Sequence, residues 1–216
     1  VTGASRGIGY AIAGLLAHYG ATVIGTATTM AGVERIQALL ANIHHTDFNE
    51  KYGTGILLDV TDSENISQVF ASIEERYGAP LILVNNAGIV RDQLCLRMKE
   101  EDWNLVLQVN LNGTFNCTKA VLLPMTKQRY GRIVNIGSRA GLGKVGRTVY
   151  GGTKAGLAGM TRTWALETAP HGITVNAIAP GPVATELFLA SNPPELPQTK
   201  KIMESVPVGR FGEPAE

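Results

Sequence analysis

The sequence predicts an α/β protein, a doubly wound parallel sheet flanked by helices in one domain spanning residues 1–216. Three observations point there. Short apolar runs alternate with longer amphipathic stretches along the chain, the pattern of repeated β-α units. A glycine-rich turn, Thr2-Gly3-Ala4-Ser5-Arg6-Gly7-Ile8-Gly9, falls between the end of an apolar run and the start of a helical pattern. The 216 residues, 44% hydrophobic and 17% charged, are enough for one well-filled core.

Val1 reads as the tail of an opening strand, and further strands are expected at residues 21–26, 55–59, 81–85, 132–136 and 174–179. Helices are expected between them at 8–19, 33–42 and 65–77, the third entered through Thr61-Asp62-Ser63-Glu64, a capping-box pattern. Two longer helices follow, at 100–128 and 149–169. Residues 182–207 form the one shift in composition, where Pro193, Pro194 and Pro197 interrupt mixed residues. A loop of that length after the last strand is expected to be a substrate lid. The chain opens without Met and stops at Gly212-Glu213-Pro214-Ala215-Glu216, where a helix begins, so both ends are expected to be trimmed.

Composition excludes little but usefully. A formal net charge of +1 gives no electrostatic reason to expect nucleic acid or an anionic membrane surface. No apolar run approaches the ~20 residues of a membrane span. Cys95 and Cys117 are too few and too far apart for a disulfide framework or a Cys-x-x-Cys site, and both are expected to be buried thiols in a reducing compartment. The stretch 38–55 is long for a strand-to-strand connection and carries His44-His45-Thr46-Asp47. Its polar setting marks a surface insertion, and no metal is expected.

The glycine turn carries the first chemical signal. Glycines at a strand-helix junction let the backbone approach a pyrophosphate, whose charge is met by the N–H groups of the helix N-terminus. The spacing here is Gly-x-x-x-Gly-x-Gly. An NAD site normally has a carboxylate some 20 residues on, at the end of the second strand, to bind the ribose 2′-hydroxyl. The segment Val23-Ile24-Gly25-Thr26-Ala27-Thr28-Thr29 has none, whereas Arg6 inside the turn can pair with a 2′-phosphate. These residues favour NADPH.

The second signal is Tyr150 with Lys154, four residues apart and so on one helix face, with Ser138 twelve residues upstream of the tyrosine. A phenol is a poor acid or base near neutrality. A neighbouring cation favours its ionised form. Ser138 can hold a substrate oxygen beside the pair. Taken alone, Tyr-x-x-x-Lys is also an ordinary surface helix pairing.

With these residues assembled, the chain resembles the short-chain dehydrogenase/reductase family essentially from end to end. The glycine turn, Asn85-Asn86-Ala87-Gly88, Asn110, Ser138, Tyr150, Lys154 and Pro180-Gly181 occur in the family's order and spacing. The resemblance implies a Rossmann-type sheet. Within the family the chain looks most like the bacterial 3-oxoacyl-[acyl-carrier-protein] reductases of fatty-acid synthesis. It implies NADPH-dependent reduction of a 3-oxoacyl thioester, with an NAD(P)-dependent dehydrogenase or reductase of another secondary alcohol or ketone (sugar, steroid or small carbonyl) as the alternative. A dinucleotide-binding scaffold without activity is a third reading, disfavoured by the intact Asn110, Ser138, Tyr150 and Lys154.

Residue by residue, the resemblance implies that Gly3, Ser5, Arg6 and Ile8 contact the cofactor phosphates and that Thr28 lies near the 2′-phosphate. Asp59 and Val60 would flank the adenine, and Asn86, Ala87 and Gly88 would border the cofactor. Val183 and Thr185 would hold the nicotinamide carboxamide, and Asn110 a water in a proton relay beside Lys154. Tyr150 would donate the proton and Lys154 would also grip the nicotinamide ribose. Arg129 matches one of the family's carrier-protein-docking arginines and stands with Arg132 and Lys127, while the second docking arginine is replaced by His171. The resemblance further implies a homotetramer in the cytoplasm, or in an organelle matrix if a targeting segment has been removed.

Overall fold

A computed structural model describes residues 1–43 and 53–216, so the expected insertion at His44-His45-Thr46-Asp47 lies outside the described residues. The chain packs as two compact units. One comprises Val1, Gly3–Leu57 and Pro180–Glu216, the other Thr2 and Leu58–Ala179.

In the first unit, β1 (Val23–Ala27) pairs in parallel with β2 (Gly53–Leu57), Val23 opposite Gly53 and Ala27 opposite Leu57. The chain start extends this pairing, because the Val1 amino group donates to the Ile24 carbonyl at 2.8 Å and Thr26 N–H donates to the Val1 carbonyl at 3.0 Å. Helices α1 (Gly7–His18) and α2 (Met30–Ala41) bury Ala13, Ala17, Val33, Ile36 and Leu40 against Val23 and Ala27. Val33, Ile36 and Leu40 recur at helical spacing and so share one face. Thr29 caps α2, its hydroxyl accepting from Gly32 N–H at 3.2 Å.

The second unit holds β3 (Ile82–Asn85), β4 (Gly131–Ile136) and β5 (Ile173–Ile178), parallel and in that order. Its helices are α3 (Ser63–Tyr77), α4 (Glu100–Leu107), α5 (Gly113–Gln128) and α6 (Thr148–Thr168). Leu83, Cys117, Val121, Met125, Ile133, Leu58, Ile66 and Trp164 form its core. Burying each large apolar side chain of that core contributes about 1.5–3 kcal/mol. A polar ladder crosses the core as well. Asn85 Nδ2 donates to Thr118 Oγ1 at 3.0 Å and to Asn135 Oδ1 at 2.9 Å, and Asn135 Nδ2 donates to Thr161 Oγ1 at 2.9 Å.

The order of elements matches the sequence expectation, and the departures have local causes. The strand expected at 55–59 ends two residues early, at Leu57, because Asp59 Oδ1 accepts from the Thr61 amide at 2.9 Å and hydroxyl at 2.8 Å, turning the chain toward α3. The cap of α3 is Asp62 rather than Thr61, its carboxylate accepting from Glu64 and Asn65 N–H groups. The helix expected at 100–128 is interrupted by a π-helical turn, Gln108–Asn112, with Asn110 inside it. Residues 182–207 are not an open loop. They form α7 (Glu186–Ser191), capped by Thr185, and α8 (Pro197–Glu204), which Pro197 starts because a proline's fixed φ suits the first helical position. Cys117 is buried, and burial pushes its thiol up to about 12. Cys95 corrects the expectation of two buried thiols, because it sits exposed on a 3-10 turn, Cys95–Arg97. No helix among the described residues is long and apolar enough to cross a membrane.

Candidate active site

Within the second unit, β4 ends at Ile136 and Ser138 follows it, its hydroxyl accepting from Ala140 N–H at 3.1 Å to cap the 3-10 turn Arg139–Leu142. That turn lies flush against α6. A Cβ at Gly151 would fall 2.9 Å from the Ala140 carbonyl, and one at Gly141 would fall 3.0 Å from the Ala155 nitrogen. Glycine at both places lets the turn after β4 approach the helix carrying Tyr150 and Lys154 closely.

On α6 the tyrosine is half-buried and the lysine buried, 7% exposed. Lys154 Nζ donates to the Ile136 carbonyl at 2.6 Å and lies 5.7 Å from the centre of the Tyr150 ring. Burial penalises its charged form and lowers the ammonium from 10.5 to about 8. The lysine is therefore anchored by one backbone carbonyl beside the phenol ring.

Asn110 sits in the π-helical turn, 1% exposed, and its amide makes three hydrogen bonds to protein. Ile89 N–H donates to its Oδ1 at 2.9 Å, while Nδ2 donates to the Ile89 carbonyl at 3.0 Å and to Thr153 Oγ1 at 3.3 Å. Thr153 in turn donates to the Tyr150 carbonyl at 2.8 Å. Asn110 thus ties the segment after β3 to the helical turn of Tyr150. A Cβ on Gly88 would fall 3.3 Å from Asn110 Oδ1 and 3.8 Å from Lys154 Nζ, so Gly88 borders the same corner. The π turn fits the habit of such bulges to occur at functional sites.

Thr2 organises the neighbouring turn, its hydroxyl accepting from Asn86 and Ala87 N–H groups at 3.0 Å each, while Asn86 Nδ2 donates to its carbonyl at 3.0 Å. Val60 is buried in the core, packed against Gly113, and Asp59 is exposed, its carboxylate occupied by Thr61. Thr2, Val60, Asn85, Ala87, Gly113 and Thr114 line a shallow hollow.

Within the first unit, the glycine turn places Gly3 at φ 64° and Gly7 at φ 56°, a left-handed backbone that side chains disfavour. Arg6 is exposed at the start of α1, whose first N–H groups have no side-chain cap and whose first turn carries no acid. The first N–H groups of a helix carry its positive end and suit an anion. Ser5 and Ile8 are half-buried and Thr28 is exposed beyond β1. A Cβ on Gly32 would fall 2.7 Å from Ala27 Cβ and 3.1 Å from Ser5 Cβ, so glycine there lets α2 close on the turn. Thr185 caps α7 with its hydroxyl, which accepts from Phe188 N–H at 3.2 Å. Its methyl would lie 3.3 Å from a Cβ on Gly7. Val183 pairs in parallel with Gly212. The glycine turn and Thr185 therefore meet inside one unit, while Asn110, Ser138, Tyr150 and Lys154 meet inside the other.

Among the basic residues, Arg129 Nη2 donates to the Pro170 carbonyl at 2.9 Å and Arg132 Nη1 to the Gly172 carbonyl at 3.2 Å. The Arg132 guanidinium also stacks over Tyr130, 4.2 Å from the ring centre. Both arginines are thus partly spent on their own chain beside His171.

Sequence reasoning missed Thr2, Thr153, Arg147 and Asp92. Thr2 and Thr153 had a signal, the one heading the glycine turn and the other inside the tyrosine-lysine spacing. Arg147 lies 5.2 Å from the Tyr150 ring centre and pairs with Asp92 at 3.1 Å, a contact with no signature in linear spacing.

The chain is similar to known proteins along almost its whole length. Residues 1–195 match the family model for short chain dehydrogenase. The chain is 46% identical over 219 residues to the 3-oxoacyl-[acyl-carrier-protein] reductase FabG of Pseudomonas aeruginosa, covering 100% of this chain and 84% of that protein. The FabG of Escherichia coli strain K12 is 45% identical over 213 residues, 98% of this chain and 82% of that one. A solved structure described as ElxO with NADP bound superposes with a TM-score of 0.89 at 32% identity, covering 99% of this chain and 85% of that one. A glycine turn opening α1, a serine after β4 and a tyrosine-lysine pair on α6, together with these matches, place the chain in the short chain dehydrogenase family.

Proposed function

We propose that this chain reduces 3-oxoacyl thioesters, carried on acyl carrier protein, to the 3-hydroxyacyl form with NADPH, in fatty-acid synthesis. The observation that carries the reading is the Tyr150–Lys154 pair on one face of α6, with the ammonium 5.7 Å from the ring centre. The substrate class rests on the FabG relatives, which the chain matches at 45–46% identity along almost its whole length. NADP as cofactor is supported by the similar ElxO structure, which has NADP bound, and by Arg6 standing exposed where no acidic residue follows β1.

The residues present fit a dinucleotide. Gly3 and Gly7 hold backbone that a side chain would strain, and the uncapped start of α1 offers N–H donors to a pyrophosphate. In this reading Gly3, Ser5, Arg6 and Ile8 hold the phosphates and Thr28 the 2′-phosphate side. Asp59, Val60, Asn86, Ala87 and Gly88 border the adenine and ribose, and Val183 and Thr185 take the carboxamide. The reduced nicotinamide supplies a hydride when bound. Ser138 donates a hydrogen bond to the carbonyl oxygen as negative charge builds there, and Tyr150 gives that oxygen its proton. Lys154 favours release of the proton and binds the ribose, while Asn110 holds a water of the proton relay beside Lys154 and ties down the helical turn of Tyr150 through Thr153. Residues 182–207, with α7 and α8, serve as the substrate lid. Arg129 and Arg132 meet the acidic carrier, and the protein assembles as a cytoplasmic homotetramer.

The test is turnover of acetoacetyl thioesters with NADPH, followed as loss of the reduced cofactor's absorbance. Oxidation of NADPH by acetoacetyl-acyl-carrier-protein supports the reading. Activity on a sugar or steroid ketone with thioesters ignored replaces the substrate, and none on any ketone removes the enzyme.

A further inference from the structure

Tyr150 has a second cationic neighbour that the tyrosine-lysine pattern does not contain. Arg147, the residue just before α6, carries its guanidinium 5.2 Å from the centre of the Tyr150 ring. Its side chain is only 24% exposed and pairs through Nη2 with Asp92 Oδ2 at 3.1 Å. The backbone is held too, because Gln93 and Arg147 form an isolated parallel bridge. Position and orientation are thus set from two sides, unlike those of a free surface arginine.

We infer that Arg147 is a second positioning cation for the proton transfer, stabilising negative charge on the Tyr150 ring, with Asp92 both holding it there and partly cancelling its field. The inference rests on the reading of Tyr150 as proton donor. When a phenol ionises, its charge spreads into the ring, and a guanidinium over the ring then gains attraction that it lacks over the neutral phenol. The planar, permanently charged guanidinium suits this task better than an ammonium.

The charged groups around this corner come from three segments. Lys154 lies on α6 and Arg147 at its start, Asp92 comes from the segment after β3, and Lys144 and Arg139 from the segment after β4. Lys144 acts electrostatically on both Asp92 and Arg147, and Arg139 on Lys144. Lys144 and Arg139 are exposed and screened by solvent, so the buried Lys154 and the clamped Arg147 dominate at the ring.

The experiment uses opposed variants of one ion pair. In the alcohol-to-ketone direction Tyr150 must begin ionised to take the hydroxyl proton, so the rate rises with pH as the phenolate forms. Rates would be measured from about pH 6 to 10 with a 3-hydroxybutyryl thioester and NADP, a range that spans the expected limb. Arg147→Gln removes the cation and should move the rising limb alkaline by about one pH unit. Asp92→Asn keeps an oxygen acceptor for Arg147 while removing the opposing charge, and should move the limb to lower pH. A merely structural ion pair would give the two variants shifts of the same sign, or none. An Arg147→Gln limb that stays or moves acid, or an Asp92→Asn limb that does not move opposite to it, overturns the inference. Tyr150→Phe separates the two ideas: if it keeps full turnover the proton-donor reading fails first, and if it is inactive the shifts judge Arg147 alone.

Discussion

Asn110 and the Ile89 backbone hold each other through two reciprocal hydrogen bonds, Ile89 N–H to Oδ1 at 2.9 Å and Nδ2 to the Ile89 carbonyl at 3.0 Å. A third bond from the same amide, to Thr153, carries the link into the helix of Tyr150. Asn110→Ala would orphan a backbone donor and acceptor of half-buried Ile89, at a cost of about 1 kcal/mol each, the low end for a group that water can partly reach. The expected result is a lower urea-unfolding midpoint together with reduced kcat. Unchanged stability would show that water replaces the amide without loss.

Tyr150→Phe keeps the ring, and with it the packing between Arg147 and Lys154, and removes only the hydroxyl. The rate with acetoacetyl thioesters should fall about 10²–10⁴-fold, the usual worth of a positioned general acid. NADPH affinity, followed by fluorescence titration, should hardly change. A rate within twofold of wild type would end the acid role.

Arg6 is exposed in the glycine turn, and no carboxylate follows β1 to bind a ribose hydroxyl. Arg6→Ala should weaken NADPH by about tenfold or more, the worth of one charge-assisted hydrogen bond, and leave NADH nearly unaffected. The ratio of kcat/KM for the two cofactors measures this. A ratio that stays fixed would place the 2′-phosphate contact elsewhere.

Lys154 makes stability depend on pH in the cofactor-free protein. Burial lowers its ammonium from 10.5 to about 8, so the penalty for burying the charge is felt fully below pH 8. Between pH 8 and 10.5 the folded chain releases its proton while the unfolded chain keeps it, so stability rises with pH through that window. The rise approaches roughly 3 kcal/mol, because a tenfold change in proton affinity is worth about 1.36 kcal/mol. Lys154→Met should abolish the rise in urea titrations between pH 8 and 9, below the range in which buried Cys117 makes stability fall, and a variant curve parallel to wild type there would contradict the burial argument.

Gly113 begins α5, and a Cβ there would fall 2.6 Å from Val60 Cγ2 and 2.9 Å from Val60 Cβ. Val60 is β-branched and buried, so it has little room to turn aside. Gly113→Ala should cost about 1–3 kcal/mol of overpacking, read as a fall in Tm. A neutral result would mean that the start of α5 shifts without penalty.

The serine, the tyrosine-lysine pair and the glycine turn were legible in the sequence because each depends on short-range geometry. A four-residue step puts two side chains on one helix face, and glycines in a strand-helix turn expose the backbone wherever the helix then goes. The order of elements was legible for the same reason, since hydrophobic periodicity is a local property. Cys95 and residues 182–207 misled because exposure and loop order depend on what else packs nearby.

Tertiary structure alone decided the rest. Thr2 reaches Asn86 and Ala87 across 84 and 85 residues, Asn110 reaches Thr153 across 43, and Arg147 pairs with Asp92 where its backbone bridges to Gln93 in a separate segment. The sequence determined which side chains can do chemistry. The fold determined which buried polar groups meet, because a buried donor or acceptor is stable only where distant backbone supplies its partner.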